Sequence, residues 1–486
     1  MPGMIANKVF YKMVIVSIIT LSILNSCENR NKQDSETELK IFFINDNHAQ
    51  IDNFSKIKYI IDEAEEEGKV ILVSSGDMFS GNPLVDFYEE KGFPVIDLMN
   101  RTGFDLATLG NHEFDYGQEV LQDRIDQASF DVLCANMTSQ SPLLDQPEAT
   151  AIITAGDLEV QFVGVVETNG KPGAVIPSTH PSKLENLVFT DAAQTLGNYS
   201  TLKEDSGADL LILLSHLGHN YGEGATSDYS VAGDYPFFDM IIGGHSHSIQ
   251  DTTINGVHIY QAGSYLNYLG KISLDIKDEK IISEEFELIK LDDYDNYSGE
   301  IADLVESYNT NPDFEEVLGT NNTFLTRNRT VGCFYTDAIR GYLQTDISFQ
   351  NPGGIRADID EGDITLLEIY NVDPFGNRLL KYEMTVSDIK DFLEGTGTGL
   401  YYSGVVIESD PGTGVIIKDQ QGNILESDRV LSVAINDYIP NIHESYFPEP
   451  AEVYDITTAE AIISYLRNLS EPIDYPKCNR YFRYEE

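Results

Sequence analysis

Apolar residues fall into short blocks separated by polar turns, and the blocks follow two periods. Residues 41–44, 70–73, 210–214 and 240–242 are nearly continuous runs of Ile, Leu, Val, Phe and Met, as in strands buried on both faces. Between the first two, Ile57, Ile60, Ile61 and Ala64 recur at helical spacing, and Gly68 closes the segment. Strand, loop and helix repeat in this way to about residue 276, which predicts an α/β domain rather than a β sandwich. Residues 257–276 alternate apolar with polar and read as paired strands broken at Gly263 and Gly270.

An acidic join follows. Ile301, Leu304, Val305 and Tyr308 keep helical spacing within 298–308, with Ser298 as the cap, and predict a linker helix between two domains. Beyond residue 322 the pattern predicts a helix over 331–343, strands over 346–350, 379–385 and 430–435, and a closing helix over 457–466. Two domains also suit the length, since 486 residues exceed what one hydrophobic core serves.

The N-terminus has its own logic. Lys8 and Lys12 precede an apolar run over 13–24 that is too short to span a bilayer, and the run stops at Asn25-Ser26-Cys27. This is a secretory signal whose end resembles a bacterial lipobox. The expectation is a lipoprotein signal peptide over 1–26, acylation of Cys27 and a polar tether over 27–38. That places the chain in a bacterial cell envelope, lipid-anchored in the outer membrane or periplasm, or secreted.

Composition narrows the partners. A formal net charge of −49 argues against nucleic acid or an anionic lipid surface as a broad partner. Cys134, Cys333 and Cys478 form neither a disulfide framework nor a zinc spacing. Cys134 is expected in a core; whether Cys333 and Cys478 pair stays open.

Five stretches carry the chemistry, each after an apolar run: Asp46 and His48, Gly76-Asp77, Gly110-Asn111-His112-Glu113, Ser215-His216, and Gly244-His245-Ser246-His247. In an α/β layer such loops converge on one edge of the sheet. Five of the nine histidines lie in them, while His180, His219, His258 and His443 read as ordinary core or surface residues. Carboxylate, imidazole and amide donors without thiolate fit Zn, Mn or Fe. One carboxylate shared between two ions makes a clamp for phosphoryl displacement that needs no serine or cysteine nucleophile. In the second half, Asn351-Pro352-Gly353-Gly354-Ile355-Arg356 and Asp373-Pro374-Phe375-Gly376-Asn377 are Gly-rich turns beside an Arg and a Phe.

These first-half stretches resemble the calcineurin-like metallophosphoesterase signature. Joined to the Asn351 to Arg356 and Pro374-Phe375 turns, they resemble the secreted 5′-nucleotidase and UDP-sugar hydrolase family. The resemblance implies an α/β chain with a four-layer αββα metallophosphoesterase domain over 39–292, a linker helix over 293–321 and a second, α+β substrate-binding domain over 322–486. It implies two divalent ions, Zn, Mn or similar: Asp46, His48 and His247 on one, Asn111, His216 and His245 on the other, and Asp77 bridging. His112, oriented by Asp115, would stabilise the transition state or protonate the leaving oxygen. Arg327, Asn351 and Arg356 would bind substrate, and Phe375 and Tyr438 would stack on the base. The helix over 298–308 would be the hinge on which the domains reorient.

The sequence departs from the family pattern in three places. Pro352 replaces a Gly, Tyr438 stands where Phe is commoner, and Asn441-Ile442-His443-Glu444-Ser445 replaces a Gly-Gly-Asp-Gly turn, with Glu444 a substitute for its Asp. The expected function is metal-dependent hydrolysis of 5′-nucleotides, with UDP-sugars or 2′,3′-cyclic nucleotides as further substrates, by a monomer. The alternatives are another phosphoester, or a surface nucleotide-binding protein without turnover.

Overall fold

The computed structural model describes residues 37–484 apart from 169–176, 221–225, 279, 411 and 413. The expected signal peptide and Cys27 lie outside the described residues. Thr37 and Glu38, read as the end of a tether, already belong to the first strand, Thr37–Ile44.

That strand is the axis of the first half. Its side chains alternate: Leu39, Ile41 and Phe43 point into one apolar cluster, Phe42 and Ile44 into another. It lies in a six-stranded sheet, parallel to Val70–Ser74 and antiparallel to Tyr268–Lys277, with Leu106–Thr108 and Asp131–Leu133 continuing the parallel side. A second six-stranded sheet holds Leu158–Val166, Leu210–His216, Met240–Ile242 and Val257–Ala262 in parallel. Leu39, Ile41 and Phe43 meet Phe162, Ile212 and Leu214 between the sheets. Outside the first sheet pack helices Phe54–Glu67 and Phe93–Thr102; outside the second, Ala192–Leu196 and Asp228–Asp234. The result is the expected four-layer order, helix, sheet, sheet, helix.

Two readings of this half need correction. Val257–Ala262 and Tyr268–Lys277 are consecutive strands that do not pair; the chain leaves one sheet at Gly263, where φ is +80°, and enters the other. Gly270 is no break either, since it lies within a strand opposite Phe43, whose ring fills the space a Cβ would take. The linker helix runs over Gly299–Asn309, but Ser298 makes no side-chain cap and instead donates its N–H to Ser55 O. Ile301 and Val305 are buried in the same cluster as Phe54 and Ile57, and Tyr308 Oη donates to Asp97, so this helix packs onto the first half.

The second half is a mixed six-stranded sheet in the order Glu452–Thr457, Arg378–Thr385, Val430–Asn436, Ile347–Gln350, Leu400–Ser403, Tyr481–Phe482. Helices Thr330–Leu343 and Thr458–Arg467 cover one face and Val386–Thr396 the other. Thr385 with Asp388 and Thr457 with Glu460 form capping boxes that fix two helix starts at strand ends. Cys333 and Cys478 are joined, tying helix Thr330–Leu343 to the C-terminal segment, and Cys134 is buried and free. Among the described residues no helix is long and apolar enough to cross a membrane.

Candidate active site

The parallel strands of both sheets end at one edge, and the five chemical stretches start there. Their backbone is unusual. Asp46, His48, Asp77, His245 and His247 all have φ between +48° and +70°, a left-handed conformation that non-glycine residues rarely take. The turns fold back sharply enough to aim donors from different strands at one small volume.

Asp46, His48, Asp77 and His247 each offer an atom within 4.8 Å of the others, and so do Asp77, His216 and His245. Asp77 belongs to both groups. Asn111 joins the second, its Oδ1 2.8 Å from His245 Nδ1. Hydrogen bonds behind these groups fix their orientation. His48 Nδ1 donates to Ser80 O and His216 Nδ1 to Ser75 O, so both turn Nε2 inward. Asp46 accepts the N–H of His245 on both oxygens, and Asn45 bonds Asp46 and the backbone at 262 and 263. Asp77 accepts the N–H of His112, and Asn111 Nδ2 donates to Ser178 O.

Would these residues suit metal ions? His216 Nε2 is buried without a hydrogen bond, although Asp77 Oδ2 stands 3.0 Å away outside hydrogen-bonding geometry. Nitrogen and oxygen donors with no thiolate match a borderline divalent ion. The electrostatics agree for most of the set. Burial holds His48 well below the usual imidazole range and lowers His245 to about 3 and His247 to about 4, which keeps them in the neutral form that ligates. Burial would raise Asp77, but His216 and His112 outweigh it and hold the carboxylate anionic. Two members depart: burial pushes the Asp46 carboxyl up to about 7, and His216, which burial lowers, is pushed up to about 10 by Asp77 and Asp46; a cation held between them would favour the ionised carboxylate and the neutral imidazole.

Beside this cluster, His112 Nδ1 lies 2.6 Å from Asp115 Oδ2, leaving Nε2 for a substrate. Burial lowers this imidazole, and Asp115 and Asp77 more than reverse that, pushing it up to about 9. Both residues line a cavity of about 720 Å³ between the two halves. The second half contributes Asn351, Arg356, Phe375 and Tyr438 to its walls, and the Arg356 guanidinium sits 5.7 Å from the Phe375 ring centre. Arg327 is exposed behind this wall and donates to Arg356 O, supporting Arg356 from outside the cavity. Glu444 does not line the cavity; Asn441 does.

The sequence reading passed over several residues here. Glu113, fully buried, accepts the N–H groups of Asp77, Met78 and Gly110 and holds two of the chemical loops together. The Tyr265 ring packs 5.3 Å from both His48 and His247. Asp228 accepts from Ser215 and Gln261, and Gln261 also holds Ser246, tightening the loop around His245 and His247. His180, read as an ordinary residue, lines the cavity beside Tyr438. Of these, Glu113 alone had a signal in the sequence, as the last residue of the Gly110-Asn111-His112-Glu113 stretch.

The family model for calcineurin-like phosphoesterase matches residues 39–248, and that for the 5′-nucleotidase C-terminal domain matches residues 313–449. Endonuclease YhcR of Bacillus subtilis (strain 168) is 25% identical across 95% of this chain, which spans 41% of its length. Trifunctional nucleotide phosphoesterase protein YfkN of the same organism is 28% identical across 74% of this chain, and the match covers 28% of its length. The chain thus spans less than half the length of these two relatives. In fold it is similar to the crystal structure of a 5′-nucleotidase precursor from Thermus thermophilus, with a TM-score of 0.75, 22% identity, and coverage of 88% of this chain and 96% of that one.

Proposed function

We propose, for a chain that belongs to the calcineurin-like phosphoesterases carrying a 5′-nucleotidase C-terminal domain, that it hydrolyses the phosphate ester of nucleotides. The observation that carries this reading is that a single cavity joins the ligand cluster around Asp77 to Arg356, Phe375 and Tyr438. Charge and donors at one end suit a phosphoryl group, and aromatic faces at the other suit a base.

Asp46, His48 and His247 would hold one divalent ion, Asn111, His216 and His245 the other, with Asp77 shared; Zn and Mn both suit the donors. Bound there, the pair would polarise the phosphoryl oxygens and supply a nucleophilic water at neutral pH. The chain's own residues do the rest. Arg356 and Asn351 bind and orient the substrate, Phe375 and Tyr438 hold the base, and Arg327 braces Arg356. As the P–O bond breaks, His112 donates its Nε2 proton to the leaving oxygen, and Asp115 keeps the ring oriented and stabilises its charge.

The same reading takes 39–292, 293–321 and 322–486 as catalytic domain, linker and substrate-binding domain. It takes the chain as a monomer tethered through acylated Cys27 to a bacterial envelope. The test is hydrolysis by the purified chain of AMP and 4-nitrophenyl phosphate, followed as phosphate release, and of a UDP-sugar and a 2′,3′-cyclic nucleotide, followed as the nucleoside monophosphate formed, each with Mn²⁺ and with Zn²⁺. Release from AMP is expected. Turnover of the aryl phosphate alone would keep the metal centre and replace the substrate, an alternative that the altered turn at Asn441 favours. A nucleotide binder without turnover would hydrolyse none of the four.

A further inference from the structure

Three consecutive residues, Ser178, Thr179 and His180, each make a contact with a different part of the site. Ser178 O accepts the side-chain N–H of Asn111 at 3.1 Å. The Thr179 hydroxyl donates to Asp115 Oδ1 at 2.8 Å, while Oδ2 of the same carboxylate holds His112. His180 crosses to the other half, with Nε2 3.3 Å from Asn441 Nδ2 and 3.6 Å from Asp437 Oδ1, and its ring 6.3 Å from that of Tyr438. The segment is anchored from behind as well, because Ser178 N donates to Glu167 Oε1. Thr179 is only 5% exposed, so its hydroxyl has no ready exchange with bulk water.

A carboxylate can orient an imidazole only if it is itself held. Asp115 lies in a short turn after the 3₁₀ segment His112–Phe114, and its side chain needs a second fixed point to keep Oδ2 in line with His112 Nδ1. Thr179 supplies that point from a loop whose next residue touches the base-side helix Tyr438–Ile442.

We propose that Ser178–His180 is a positioning strap: Thr179 sets the orientation of Asp115 and so the aim of His112, and His180 ties that orientation to the second half closed over the substrate. This rests on the reading of His112 as the proton donor to the leaving oxygen. It assigns Thr179 and His180 roles that act through Asp115 rather than on the phosphoryl group.

The test uses leaving groups that differ in their need for a proton. A nucleoside 5′-oxygen needs one as the P–O bond breaks, whereas 4-nitrophenolate does not. Thr179→Val, close to isosteric, is expected to lower kcat for AMP roughly tenfold, as for one hydrogen bond to a charged group, with a loss of less than about threefold for 4-nitrophenyl phosphate. KM for both should stay within about twofold, and Thr179→Ser should restore kcat. In an Asp115→Asn background, Thr179→Val should have no further effect, because the two act as one unit. His180→Ala should show the same AMP-selective loss in kcat. Equal losses on both substrates, additive losses in the double variant, or unchanged AMP turnover in His180→Ala would overturn the strap. Metal content, measured on every variant, separates loss of aim from loss of the centre. Failure of the strap leaves AMP hydrolysis by the unaltered chain in place; failure of the underlying reaction would already show there.

Discussion

His48 Nε2 and His247 Nε2 stand 2.9 Å apart across the site. His48 spends its only proton on Ser80 O, so the two nitrogens approach closely only if a proton or a cation lies between them. A cation there would join the two loops. Removing ions with a chelator should therefore lower the melting temperature, and Mn²⁺ or Zn²⁺ at about a hundredfold excess over Kd should return about 3 kcal/mol for each ion bound. Metal analysis should find two ions per chain; one or none would break the assignment of Asp77 as a shared ligand.

His112→Ala should leave both ions in place and lower kcat by roughly 10²- to 10⁴-fold, the range for a general acid. Steady-state kinetics beside metal analysis will decide, since a loss of metal would instead make His112 a ligand.

Arg356 stands over Phe375 within the cavity, and under the proposed function its charge and its packing would both serve the nucleotide end. Arg356→Ala should raise KM for AMP roughly tenfold, and for 4-nitrophenyl phosphate clearly less. Equal rises on the two would mean that Arg356 serves the phosphoryl group alone.

Asp86 carries a pH signature apart from the ligand cluster. Burial pushes its carboxyl up to about 7, against the hydrogen bonds it accepts from Tyr116 and from Gly81 N. The unfolded chain gives up this proton near pH 3.9, so the contribution is complete below that and is lost as pH rises through about 7. Asp86→Asn abolishes the titration. Its stability relative to the unaltered chain should therefore improve between about pH 4.5 and about pH 7.5, as read from urea midpoints at each pH. A difference that does not change with pH would contradict the raised carboxyl.

The ligand cluster was legible in the sequence because each donor follows an apolar strand within a few residues, and parallel strands bring their ends together. The four layers were legible from the same alternation. What escaped depended on where separate pieces land. Val257–Ala262 and Tyr268–Lys277 each carry strand patterning, but alternation within a strand does not say which sheet it joins. Ile301 and Val305 announce a helix with an apolar face and leave open the surface it covers. The pairing of Cys333 with Cys478, 145 residues away, follows from the fold of the whole second half. Thr179 and His180 look like any turn residues until the loop that bears them is seen against Asp115 and Asn441.

The left-handed backbone at Asp46, His48, Asp77, His245 and His247 sets chemistry against folding. Each such residue costs roughly 1–2 kcal/mol that glycine would not incur. In the metal-free chain, replacing one of these ligands by glycine relieves strain at the moment it removes a donor. Selection for a sturdier chain alone would therefore erode the site at its ligands first, and descendants freed from turnover should carry glycine at these five positions before their cores drift.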